Sequence, residues 1–418
     1  MKHIAIVGAG QAGLQLGFEL LAKGYEVTMY TEKTAQEMLN ATSMPAPIQF
    51  YPSLALEEKH LLNFWGNERD SQVDASSFCS CSPDGRKQLE IKASLHVKAK
   101  SIDLRLKYAI WLEEFERRNG NLIIEGGSID LLEDCTLKYD AVFVATGKNR
   151  LSTVFERDEE RSSFNAPQRH VAHFYLADCQ FTYPHHPDWN TAYFIQIPGV
   201  GELILFNSLH KSGKKAFSLA VEAIPNGALD LFNNRGDGTS QLEILKGYAK
   251  KNQPGFYQII KDSSLVNNDW LYGAITPEVK KPAGILPSGR VVMAIGDALT
   301  TYDPIAAQGL NAASKSAHHV AKWIYTNEPA RFNEKWINEV FGDYWNKARY
   351  NVLYERSFLN LRQRHQKLIF IAASHIPAIA SEFINGMGDP SALAPFYFDA
   401  DATASYLKEH GFSLKAVE

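Results

Sequence analysis

The chain opens on His3-Ile-Ala-Ile-Val-Gly8-Ala-Gly10-Gln-Ala-Gly13, and few folds admit such a stretch. Ile4 to Val7 read as a short buried strand and Leu14 to Ala22 as the apolar side of a helix, with G-x-G-x-x-G between them. Gly8 permits the tight turn, Gly10 lets a pyrophosphate approach the backbone, and Gly13 lets the helix sit close on the strand. The helix start, with Gln11 and Ala12, offers N–H groups and the positive end of a dipole to phosphates. A second strand, Glu26-Val-Thr-Met-Tyr-Thr31, runs into Glu32. An acid at that spacing holds a ribose hydroxyl, so the stretch predicts a dinucleotide and leaves FAD and NAD both open.

At 418 residues there is room for two or three domains. A formal net charge of −4 argues against nucleic acid or an anionic membrane as main partner. Cys79-Ser-Cys81 lacks the C-x-x-C spacing of zinc and redox sites, and nothing suggests a disulfide framework, so a reducing cytoplasm fits best. No secretory signal is expected, because the first residues go straight into a strand. The apolar run Leu368 to Ala380 is broken by Ser374, His375 and Pro377 and is too short to span a bilayer. His185-His186 lacks further ligands at metal spacing and reads as a structural or exposed pair; no metal is expected.

Along the chain, Ser43 to Pro52 carries three prolines and is extended or turning, and Leu54 to Phe64 then reads as a helix. Gln72 to Lys98 holds strands inserted between pieces of the nucleotide domain. Leu104, Tyr108, Trp111, Leu112 and Phe115 mark one face of a helix reaching Arg118, with Asp103 and Arg105 in its first turn. That pair is either a surface ion pair or places Arg105 near flavin or phosphate. Tyr139-Asp-Ala-Val-Phe-Val-Ala-Thr146-Gly147 has the look of a parallel strand whose carboxyl end faces a ligand.

The expected organisation is α/β. A Rossmann-like nucleotide domain covers 1–160, of which about 43–98 partly serves the substrate side. A mostly antiparallel substrate domain follows over 161–271. The nucleotide domain returns over 272–327, and helices fill 328–418, where the aromatic stripe from Trp336 to Tyr354 reads as core. The late return decides the cofactor in favour of FAD. Asp297, after the buried strand Arg290 to Ile295, suits ribityl hydroxyls. Asp303-Pro304 then leads to Gly309, Leu310 and Asn311, whose N–H groups open a helix toward the flavin N1–C2=O edge.

These elements together resemble the flavoprotein monooxygenases of the aromatic hydroxylase fold. More narrowly, the chain is similar to the oxygenase component of two-component styrene and indole monooxygenases. The likeness rests on the glycine turn, Val27-Thr-Met-Tyr-Thr-Glu32, Ile102-Asp-Leu-Arg-Leu, Asp140 to Lys148, Gly199-Val-Gly-Glu-Leu203 and Asp303 to Asn311. Single-component hydroxylases carry an Asp-Gly turn, tied to NAD(P)H handling, where this chain has Ala145-Thr-Gly147. The resemblance therefore implies reduced FAD delivered by a separate NADH:flavin reductase, O₂ as cosubstrate, and no nicotinamide site. It implies epoxidation or hydroxylation of a small aromatic alkene through a C4a-(hydro)peroxyflavin, with no acid–base triad. Ser43, Pro45, Pro47 and Gln49 are the substrate-pocket candidates. Pro45, Pro47 and Gln49 match neither the styrene-type nor the indole-type residue set, and an indole-like substrate is expected before a styrene-like one. A halogenase of the same fold is disfavoured by the lack of a Trp-x-Trp-x-Ile-Pro stretch. The remaining alternatives are a self-sufficient NAD(P)H hydroxylase and a non-catalytic flavin-binding protein.

Overall fold

The computed structural model describes residues 2–412 apart from 43, 66–68, 148–149, 181–189, 233–235, 328, 330 and 361. Ser43 and the His185-His186 pair therefore lie outside the described residues.

Two sheets organise the molecule. The first runs in the order Ala283–Ile285, Val291–Ala294, Ala141–Val144, His3–Val7, Glu26–Thr31, Asn121–Ile124. It is parallel throughout except at its Ala283–Ile285 edge. The helix Gln11–Leu21 covers one face, where Leu14, Leu16, Phe18 and Leu20 are fully buried. The expected apolar face of the helix Leu104–Arg117 packs into the same core, with Trp111, Leu112 and Phe115 excluded from solvent. Burying each such side chain contributes roughly 1.5–3 kcal/mol, so these two helices fix the first sheet's outer layer.

The second sheet has eight strands, in the order Ser264–Ala274, His170–Ala177, Lys215–Ala223, Gly201–Leu209, Thr191–Ile197, Gln72–Cys81, Lys87–Ser101, Ile48–Gln49. It is antiparallel apart from one parallel pair, Gln72–Cys81 with Thr191–Ile197. Three of its strands come from before residue 161. The 43–98 region thus contributes to the substrate-side sheet much more than its broken alternation suggests, through a hairpin of long strands. One face of this sheet packs on the helices Gly238–Asn252 and Pro254–Ile260, through Phe174, Leu203, Leu205, Leu219 and Val221 against Leu242, Leu245 and Phe256.

Its other face meets C-terminal helices. Phe194, Ile204 and Phe206 join one cluster with Tyr354, Phe358, Phe370 and Phe383. The helix expected over Leu54–Phe64 is shorter, Ser53–Lys59, because Leu61 adopts φ 55° and turns the chain away. The apolar run after Leu368 divides between Arg364–His375 and Pro377–Gly386, since Pro377 cannot continue the first helix. Among the described residues no helix is long and apolar enough to cross a membrane.

Candidate functional site

A groove of about 690 Å³ runs between the carboxyl ends of the parallel strands and the second sheet. At one end it is walled by the glycine turn. A Cβ on Gly13 would stand 2.0 Å from the Gly8 carbonyl oxygen, and one on Gly8 would stand 2.5 Å from the Ala145 backbone. These glycines let helix and strands close up. Gly10 is different: a Cβ there meets nothing within 4 Å, and the residue lines the groove. The helix it precedes carries no side-chain cap. The second helix start, at Gly309 and Leu310, also lines the groove and is also uncapped by a side chain. Two positive helix ends thus open into one cavity, an arrangement suited to an elongated ligand with negative charge at two places.

Between those ends lie most of the residues singled out from the sequence. Gln11, Ala12 and Glu32 line the groove, and Glu32 is exposed at the end of its strand. Thr146, Gly147 and Asp297 line it from the two neighbouring strand ends, and Pro304 from the return. The Thr146 hydroxyl oxygen is buried and has no hydrogen-bond partner among the described residues. A polar ligand group beside it would satisfy that oxygen. An open cradle at Gly10, an orphaned hydroxyl and two uncapped helix ends fit FAD.

Four expected site residues do not line the groove. Gly13 serves helix–strand packing. Arg105 is fully buried and grips Asp103 (Nη2 to Oδ2, 2.6 Å) and Asp269 (2.7 Å), while His210 approaches Asp269 at 2.9 Å. It is therefore neither a surface ion pair nor a groove-lining cofactor contact. Two carboxylates within hydrogen-bond reach hold it in place, and burial that would strip its proton is outweighed by them, so its pKa rises. Gln49 also turns away: its Nε2 donates to Glu57 Oε1 (2.6 Å) and its Oε1 accepts from the Lys107 ammonium (2.7 Å). Lys107 and Glu57 themselves form a buried ion pair (2.6 Å), and Gln11 donates to the same Glu57 oxygen at 2.9 Å. Asn311 staples the preceding segment, accepting from Phe50 N–H (2.9 Å) and donating to the Ile48 carbonyl (3.1 Å). Its effect is to hold Pro45 and Pro47, which do line the groove, against the helix start.

The far end of the groove was not legible from motifs. It is a wall of the second sheet, built from alternate residues of five strands. In register across them stand Phe194, Ile204, Ala220, His173 and Leu271. All five line the groove, as do Phe206, Ser218 and Val171. Period-two alternation marks these strands in the sequence, yet nothing in it says which face meets a ligand. Burial, with Arg105 nearby, pushes the His173 imidazole down to about 3, so it is neutral near pH 7. Below the wall, Glu222 and Asp303 are both fully buried and electrostatically coupled.

Four of the five strands of this wall lie within residues 147–258, which match the family model of the styrene monooxygenase A substrate-binding domain, and the fifth, Ser264–Ala274, follows it. Styrene monooxygenase StyA of Pseudomonas fluorescens is 28% identical over 338 residues, covering 78% of this chain and 77% of that protein. The chain is styrene-monooxygenase-like. A second styrene monooxygenase StyA, from a Pseudomonas species, is 27% identical over the same share. Among solved structures, the flavin-dependent brominase Bmp2 superposes with a TM-score of 0.67 over 98% of this chain and 99% of its own, at 13% identity. That likeness shows the fold alone.

Proposed function

We propose that the chain is the oxygenase component of a two-component flavin monooxygenase, which takes reduced FAD from a separate reductase and oxygenates the C=C bond of a small aromatic alkene. The observation that carries the reading is the continuity of the groove. Its glycine end suits a pyrophosphate, and its sheet end is an apolar wall of Phe194, Ile204, Phe206 and Leu271. In this reading Gly10 and the N–H groups after it bind the pyrophosphate, Glu32 a ribose and Asp297 the ribityl chain. The helix start at Gly309 and Leu310 faces the ring system, with Thr146 and Pro304 beside it. Bound reduced FAD supplies the activation of O₂. The protein orients the alkene against it and keeps water out with the apolar wall. Pro45 and Pro47 stiffen the edge of the substrate space, and an indole-like bicycle suits that space before a styrene-like monocycle. The substrate class follows that of the styrene monooxygenases to which the chain is similar.

The test supplies purified protein with FAD, NADH and O₂, with and without a flavin reductase, and offers indole and styrene. Oxygenated product that requires the reductase is the expected result. Rapid NADH oxidation without reductase would favour a self-sufficient hydroxylase, and no product with either substrate would overturn the reading.

A further inference from the structure

The strand Gln72–Cys81 carries two thiols that the groove leaves unused. Cys79 and Cys81 are two residues apart, so both side chains leave the same face of the strand. That face is opposite to Phe78, whose register partner Phe194 lines the groove, and the pair therefore stands outside the site described above. The two sulfurs lie 3.5 Å apart, within S–H···S reach. In a disulfide the separation is roughly 2 Å, so small side-chain rotations close the gap. On the neighbouring strand Cys79 is in register with Glu90 and Cys81 with Lys87, and these two form an ion pair at 2.8 Å. The Cys79 thiol donates to Cys81 and holds its pKa below the usual thiol range, against the effect of burial and with help from the Lys87 charge. The same bond, together with burial, pushes Cys79 up. Neither thiol is sealed off: Cys79 keeps 9% and Cys81 8% of its surface, against 1% for Cys135.

We propose that Cys79 and Cys81 form a peroxide-reactive dithiol that closes to an intramolecular disulfide. The oxidant is hydrogen peroxide, which reduced flavin yields with O₂ when no substrate takes the oxygen. The Cys81 thiolate attacks one peroxide oxygen and the O–O bond breaks. The departing hydroxide takes up the proton that Cys81 released, leaving a sulfenic acid and one water. The Cys79 sulfur then attacks the Cys81 sulfur, the S–OH bond breaks, and the hydroxide leaves with the Cys79 proton as a second water. The two thiols lose two electrons in all, and one peroxide becomes two waters.

To test this, the reduced protein is treated with a small excess of hydrogen peroxide, denatured, alkylated with N-ethylmaleimide and mapped by mass spectrometry. Two of the four thiols should be lost, with a mass decrease of about 2 Da confined to the segment bearing Cys79 and Cys81. Dithiothreitol should restore both thiols, and non-reducing electrophoresis should show no dimer. The loss should run roughly ten-fold or more ahead of oxidation at Cys135, in the helix Ile129–Lys138, and at Cys179, after the strand His170–Ala177. In Cys79→Ser the Cys81 sulfur lacks its resolving partner and should halt as a sulfenic acid trapped by dimedone. The measurement on the native protein decides alone if that variant does not fold, as judged by circular dichroism. Four free thiols after peroxide, a disulfide between two chains, or equally fast oxidation of Cys179 overturns the inference, as does a folded Cys79→Ser that takes up no dimedone. None of these outcomes touches the monooxygenase reading.

Discussion

Two glycines three residues apart play opposite parts, and substitution separates them. A Cβ on Gly13 collides with the Gly8 carbonyl, whereas the space before Gly10 is empty of protein. Gly10→Val should therefore leave the melting temperature within a degree or two while weakening FAD binding by roughly ten-fold or more, as read by flavin fluorescence titration. Gly13→Ala should lose stability first and binding with it. If Gly10→Val bound FAD normally, the groove would not be the phosphate site. A second residue-scale prediction concerns Glu222. Burial, reinforced by Asp303 and Glu202 and opposed by Arg169, raises its pKa well above the ordinary value. Between that ordinary value and the raised one, the unfolded chain releases a proton that the folded chain keeps. Stability accordingly falls as pH rises through this window, by up to about 1.4 kcal/mol per unit. Glu222→Gln should flatten the fall and gain stability on the alkaline side, measured by urea denaturation at several pH values. A variant with an unchanged pH slope would show that Glu222 is ionised in the fold.

At the scale of elements, the ion cluster of Arg105 ties the first turn of the helix Leu104–Arg117 to Asp269 on the edge strand Ser264–Ala274. Asp103 caps that helix by accepting from the Arg105 backbone N–H at 3.0 Å. Arg105→Met leaves the buried Asp103 carboxylate without its ion partner, while Asp269 keeps His210, a loss of about 3–5 kcal/mol in denaturant unfolding. Flavin affinity of the fraction that remains folded should be unchanged, and a selective loss of affinity would return Arg105 to the cofactor site. This residue shows where sequence reasoning stops. The glycine turn, the strand ends at Thr146 and Asp297, and the helix start at Gly309 were legible because each is a local backbone device with a fixed spacing. Arg105, Gln49 and Asn311 lie within a few residues of such devices, but their directions are set by Asp269, Lys107 and Phe50, partners distant in sequence. The strand hairpin Gln72–Ser101 was obscured for a related reason. Polar residues interrupt its alternation, and its membership of the second sheet depends on pairing with Thr191–Ile197, more than a hundred residues on.

Across the whole molecule, the groove is a seam between two sheets that the C-terminal helices brace from behind. A ligand filling such a seam touches elements from residue 7 to residue 313, so its binding free energy adds to the stability of the whole fold. Ligand present at a hundred times its Kd contributes about 2.7 kcal/mol, enough to raise the melting temperature of a chain this size by a few degrees. The proposed delivery of flavin in its reduced form sets the direction of a comparison. Under anaerobic conditions, dithionite-reduced FAD should raise the melting temperature more than the same concentration of oxidised FAD, and Gly10→Val should cut both shifts to about half or less. Equal or greater stabilisation by oxidised FAD would point instead to a resident flavin reduced in place. The Ala145-Thr-Gly147 turn would then have to accommodate a nicotinamide, and NADH alone should reduce the bound cofactor.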